Sequence, residues 1–315
     1  MAIKVLIIGE SGTGKSTSMR YLDPEKTAIV NPVGKPLPFK KSMGASYSML
    51  NNVTSSGEII NFMNQEVKFG KKVIVIDDFQ YILSIPYMDR IKESGWDKWN
   101  DFGSNYFDII NKVNTYPDDV TVYFLSHCET LDNGVTTVKL IGKMLREKIT
   151  IEGLFTIVLR TGVKDGRYYF YTQNDGKDTT KSPLDMFSTY AIDNDLNYVD
   201  EKIRNYYGIS NAKSDAEIKE MDKKAEFEDV VPATISRRSR NKVAMEKAEA
   251  DMKLHEQAIE MIANGREEVP YNEIKAAEDA LKNIKPADDT VPFVENTTPE
   301  TSEEQPKRRT RRTRE

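Results

Sequence analysis

The sequence predicts an α/β protein with a mostly parallel central sheet flanked by helices, continued by a C-terminal helical extension and a disordered tail. Three observations lead there. Continuous apolar, β-branched runs recur along the chain, the pattern of strands buried on both faces of a parallel sheet. The segments between them are long enough for crossover helices. Beyond about residue 210, glycine and aromatic residues thin out and Ala, Glu, Lys and Met take over.

In chain order the runs are IKVLIIG (3–9), KTAIVN (26–31), KKVIVID (71–77), VTVYFLS (120–126) and FTIVLRT (155–161). Residues 15–22, 55–69 and 99–114 are the expected crossover helices. The last run continues into a hairpin, with Asp165-Gly166 as its turn and the aromatics Tyr168 to Tyr171 in its second strand. A closing helix, 197–207, ends at Gly208, a residue suited to the left-handed conformation past a helix C-terminus. These elements define a core of residues 1–208, with 209–236 read as a linker. Met245, Ala248, Met252, Ile259 and Ile262 recur at irregular helical spacing, so 237–284 reads as an amphipathic helical extension. Residues 285–315 are Pro/Thr/Glu-rich, first acidic and then basic, and too polar to bury a core.

The chemistry starts at GESGTGKST (9–17), between the first strand and the first helix. It fits the pattern G-x-x-x-x-G-K-[ST], with Gly9, Gly14, Lys15 and Ser16 at the fixed places. Such a loop turns its backbone N–H groups around the phosphates of a nucleotide. Gly9, Glu10, Ser11, Gly12, Thr13, Gly14, Lys15, Ser16 and Thr17 are thus the candidate ATP-binding residues. In this pattern Lys15 reaches the β- and γ-phosphates and the Ser16 hydroxyl is a ligand of Mg²⁺.

The run VIVIDDF (73–79) supplies the partner carboxylate, because Asp77 falls at the C-terminal edge of a central strand beside the loop, where it can hold Mg²⁺. Asp78 reads either as the group that polarises an attacking water or as a turn or helix-capping residue. Ser126 and His127 end the next strand and read as sensors of the γ-phosphate or as plain surface hydrogen-bonding groups; Glu129 is a further candidate base. Lys143 and Arg146, in GKMLREKI (142–149), read either as a finger that neutralises charge on a neighbouring subunit's γ-phosphate or as a solvated helix face.

Two basic or aromatic stretches bear on nucleic acid. Residues 87–107 interleave Trp96, Trp99, Tyr106 and Phe107 with cations, which suits stacked bases, but acids are as common there. Trp99, Phe102, Tyr106 and Ile109 also sit at core spacing, which favours packing. The tail KRRTRRTRE reads as a salt-sensitive contact to nucleic acid or an acidic partner. A net charge of −5 argues against a protein that coats nucleic acid with its whole surface. The lone Cys128 excludes a disulfide framework and suits a reducing cytoplasm. The N-terminal apolar run is of strand length, so no membrane association is expected.

Taken together, LIIGESGTGKSTS, VIVIDDFQYIL, WNDFGSNYFDIINKVN, VTVYFLSH and KMLREKITIEGLFTIVLRT resemble the phage-encoded P-loop ATPases of the RecA-like Sak group, recombination proteins related to the cores of RecA and KaiC. The resemblance covers about residues 1–208. It implies a RecA-like fold, Lys15 and Ser16 on phosphate and Mg²⁺, Asp77 on the metal, and Lys143 and Arg146 as a finger acting in trans. It further implies a homo-oligomer in the host cytoplasm that uses ATP on single-stranded DNA, beside a single-strand-binding or other phage recombination or replication protein. One departure stands out. RecA-like enzymes carry a catalytic Glu after the second strand, and residues 29–41 hold none, which leaves Asp78 as the substitute. The alternatives are a AAA+-type motor or loader, which needs a helical lid with a sensor Arg, a small-molecule kinase, which needs an Arg-rich lid, and a nucleotide-gated scaffold with little turnover.

Overall fold

The alternation of apolar side chains along the strands decides which helix covers which face of the sheet. The structure, a computed structural model, describes residues 1–40, 46–95, 97–141, 145, 149–227 and 230. Its strands are β1 (Ile3–Gly9), β2 (Thr27–Asn31), β3 (Ser48–Asn51), β4 (Val73–Ile76), β5 (Thr121–Thr130), β6 (Thr136–Val138), β7 (Ile157–Lys164), β8 (Arg167–Tyr171) and β9 (Ala191–Asp193). The helices are α1 (Ser56–Lys68), α2 (Tyr81–Asp89), α3 (Asp97–Lys112), α4 (Leu196–Tyr206) and α5 (Asp215–Ala225).

These strands form one nine-stranded sheet of order β3-β2-β4-β5-β1-β7-β8-β9, with β6 paired to the end of β5. β3, β2, β4, β5, β1 and β7 run parallel, and β8 and β9 add antiparallel at one edge. On one face, Leu6, Ile8, Ile74, Ile76 and Phe124 pack under α1, α2 and α3. On the other, Val5, Ile7, Val75, Leu125 and Leu159 pack with Met19, Leu22 and α4. The result is a sheet buried between two helical layers, as its uninterrupted apolar strands require. Arg204 on α4 binds Asp200 at 2.5 Å and the Asp119 carbonyl at 3.1 Å, while Tyr123 on β5 donates to Asp200, which ties this helix to the sheet.

Most expected elements stand at the expected places; two expected segments differ, and β3, β6, β9 and α2 were not expected. The segment 15–22 is a short 3₁₀ turn, Ser16–Tyr21, rather than a crossover helix. The Ser18 hydroxyl bonds the Lys15 carbonyl at 2.5 Å, competing with helical bonding, and Pro24 bars the chain from winding further. The segment 209–236, expected as a linker, holds α5. Its N-terminus carries a reciprocal capping box between Ser214 and Glu217. Tyr198 and Lys202 of α4 both bond Asp222, and Phe227 stacks on Tyr169, so the fold continues past residue 208. Finally, α2 carries Pro86 and follows Asp78 directly, where no helix was expected.

Trp99, Phe102, Tyr106 and Ile109 take the core role, with Tyr106 stacked on Phe79 at 4.0 Å. Trp96, Lys143, Arg146, the 237–284 extension and the 285–315 tail lie outside the described residues. Among the described residues no helix is long and apolar enough to cross a membrane.

Candidate functional site

The order β4-β5-β1-β7 sets the site, because the loop after β1 opens where β5 and β4 also end. Gly9 stands opposite His127 in the β1–β5 register. A β-carbon on Gly9 would sit 1.8 Å from Thr161 Oγ1 and 2.8 Å from Thr13 Oγ1, so only glycine fits. The two threonine hydroxyls bond each other at 2.5 Å, and Thr13 also donates to the Glu10 carbonyl at 2.7 Å, which pins the loop to β7. Gly12 and Gly14 hold φ of +79° and +94°, conformations that side chains resist. Gly9→Ala should therefore cost about 1–3 kcal/mol of stability, through overpacking. Chemical denaturation would check this, and adding Thr161→Ala should recover part of the loss.

Lys15 is buried, and its ammonium donates to the carbonyls of Gly9 at 2.9 Å and Glu10 at 2.8 Å. Burial pulls its pKa below the usual lysine range, against the opposing fields of Asp78 and Asp77. The Ser16 hydroxyl donates to Asp77 Oδ1 at 2.8 Å, so the two oxygen ligands expected for a metal already meet.

Asp77 and Asp78 diverge because of one backbone feature. Asp78 has φ of +61°, a left-handed conformation that aspartate tolerates better than most residues. The reversal lets Asp77 face Ser16, turns Asp78 toward Lys35 and His127, and buries Phe79 against Tyr106 and Phe124. Asp78 Oδ2 accepts from Lys35 at 2.6 Å, and Oδ1 lies 3.4 Å from His127 Nε2. Tyr81 sits beside both partners, with Lys35 5.1 Å above its ring and His127 edge-on. The two carboxyls titrate apart. Burial, then the charge of Asp78, push Asp77 up to about 6. Burial also pushes Asp78 up, but the bonds from His127 and Lys35 outweigh it and hold Asp78 down at about 2.

Lys35 is the residue that sequence reasoning missed. The tip of β2 carries Asn31, which accepts from Gly34 N through Oδ1 at 2.9 Å and donates to the Lys35 carbonyl at 2.7 Å. This turn delivers a cation to Asp78. Of the strand-tip pair, Ser126 is fully buried and His127 emerges at the site. The Glu129 carboxylate accepts from Leu140 N at 3.4 Å on the β5–β6 extension.

The residues fit a Mg²⁺-nucleotide. The loop is a glycine-lined cradle, Lys15 is a buried cation at its centre, and Ser16 with Asp77 offers the hard oxygen donors that Mg²⁺ prefers. When bound there, Mg²⁺ would neutralise charge on the phosphates. Among the described residues no cluster of His, Cys, Asp and Glu suits another metal site.

Sheet, loop and carboxylate together define a P-loop nucleotide-binding protein. Residues 1–184 match the family model described as AAA domain, and the chain belongs to that family. No curated protein matches it. Among solved structures, a KaiC-like protein from the hyperthermophilic archaeon Pyrococcus horikoshii is similar over 54% of this chain and 77% of its own, at 14% identity and a TM-score of 0.35.

Proposed function

We propose that this protein is a Mg²⁺-dependent, RecA-like ATPase that acts as a homo-oligomer on single-stranded DNA in phage recombination or replication. The observation that carries the ATPase part is the Ser16–Asp77 hydrogen bond at the mouth of the loop, which joins the two candidate metal ligands that follow β1 and β4. The DNA role, the phage setting and a single-strand-binding partner rest on the sequence resemblance. In this reading Lys143 and Arg146 reach a neighbour's γ-phosphate, and His127 reports the phosphate state to Asp78. Against a lid-bearing motor, the chain adds β8 and β9 after β7, and Arg204 on α4 is committed to Asp200 and Asp119.

One observation favours a second reading, a nucleotide-gated scaffold with little turnover. Asp78 is held ionised by two cationic or hydrogen-bonding partners at about 2, which makes it a weak proton acceptor in this state. Turnover then requires Lys35 to leave Asp78 when nucleotide enters. ATP hydrolysis by the full chain, with and without single-stranded DNA, separates the readings. Hydrolysis that DNA stimulates supports the recombination ATPase. If stimulation disappears on removing residues 307–315, the basic tail is the DNA contact. Nucleotide binding without hydrolysis supports the scaffold.

A further inference from the structure

The phosphate loop accounts for one end of a nucleotide, and the sheet order fixes where the other end goes. Ser16 and Asp77 mark the terminal phosphates, on the side of β1 where β5 and β4 lie. The nucleoside must then leave on the opposite side, toward β7, β8 and β9. There a side chain from the β7–β8 hairpin already touches the loop. A β-carbon built on Gly14 would stand 2.9 Å from Cδ1 and Cγ of Tyr168, so this ring rests directly on the glycine backbone.

The hairpin is built to hold that ring still. Its turn places Asp165 and Gly166 at φ of +51° and +77°, and the register pairs Val163 with Tyr168. Arg167 is anchored over the Phe227 ring at 4.4 Å. Tyr168 shares a face of β8 with the buried Phe170, yet keeps 36% of its surface accessible. An aromatic ring fixed on one side and open on the other is a stacking surface for a base. A second observation lies at the end of the neighbouring strand. The β8–β9 ladder ends at the pair Tyr169 and Asp193, and Asn194 follows it. Asn194 Oδ1 accepts from Arg20 at 3.2 Å, but its buried Nδ2 has no hydrogen-bond partner among the described residues. A buried amide donor left unpaired points to an acceptor that arrives with a ligand.

We infer that Tyr168, resting on the phosphate loop at Gly14, forms the base-binding platform of the nucleotide site. This rests on the reading of residues 9–17 as a phosphate loop, and the test separates the two. Binding of ADP and of inorganic tripolyphosphate is measured by calorimetry on the full-length protein, the parent against Tyr168→Ala and Tyr168→Phe. Tyr168→Ala should weaken ADP about tenfold or more, by loss of stacking, and leave tripolyphosphate unchanged. Tyr168→Phe, which keeps the ring, should bind ADP like the parent. Equal weakening of both ligands would overturn the inference and make Tyr168 a prop for the loop. An unchanged ADP affinity in Tyr168→Ala would overturn it too, with the phosphate loop left intact. Failure of the parent to bind tripolyphosphate and ADP alike would sink the phosphate-loop reading, and the platform with it.

Discussion

Lys15→Ala is expected to lower ATP affinity by about a hundredfold and to abolish hydrolysis, with little change in the melting temperature. The ammonium is held by two backbone carbonyls, those of Gly9 and Glu10, and its charge is already largely desolvated. Entry of phosphate exchanges those neutral acceptors for anionic oxygens. Hydrogen bonds to charged groups contribute roughly 1.5–3 kcal/mol each, so losing them amounts to about two decades in affinity. The loop should keep its shape, because Thr13 remains bonded to Thr161 and Ser18 N to the Gly14 carbonyl. Calorimetry with ATP and a thermal melt of the same sample check both halves. A variant that binds ATP as the parent does would remove the phosphate role of Lys15. A variant that unfolds would show instead that its two carbonyl contacts hold the fold.

The parts of this site that the sequence revealed are those with a local signature. Gly9 to Ser16 obey fixed spacing, and Asp77 ends an apolar run, so both could be placed without knowing the tertiary structure. The strands were legible for the same reason, because burial on both faces leaves continuous Val and Ile runs. Lys35 had no such signature. It meets Asp78 across 43 residues, through a turn whose geometry comes from Asn31 and Gly34, and its composition is that of any polar loop. β3 and β9 were missed because short strands show no period, and they exist only by pairing with β2 and β8. The helix at 215–225 is a different case. Its capping box, Ser214 with Glu217, was written in the sequence, but the polar composition around it favoured a linker. Composition reports whether a segment can bury a core of its own; α5 borrows α4 instead.

Asp77→Asn is expected to remove Mg²⁺-dependent hydrolysis and, in nucleotide-free protein, to raise stability above pH 6. The sign follows from the direction of the shift. Burial first, and then Asp78, raise the Asp77 pKa from 3.8 to about 6 in the folded state. Such a group contributes its full stability below about pH 4 and loses it as pH rises through 6, because the folded state must then ionise a carboxyl it prefers to keep protonated. A shift of this size corresponds to about 3 kcal/mol. Asp78 has the opposite sign: held at about 2, its contribution is present above about pH 4 and fades as pH falls through 2, so it does not mask Asp77 between pH 4 and 6. Burial also raises Asp195, but that group is common to parent and variant, so the difference between the two reports Asp77. Asparagine keeps an oxygen for the Ser16 hydroxyl and cannot ionise. Urea denaturation across that interval should show stability falling more steeply in the parent than in the variant, which ends roughly 2–3 kcal/mol ahead at pH 7.5. An unchanged slope in the variant would assign the titration to another group. With ADP and Mg²⁺ present the advantage should vanish, since the ionised carboxylate then has a cation to bind. A carboxylate that costs the fold stability when ionised fits a role for its ionised form in the site, and under the proposed function that role is to hold a metal beside the phosphate loop.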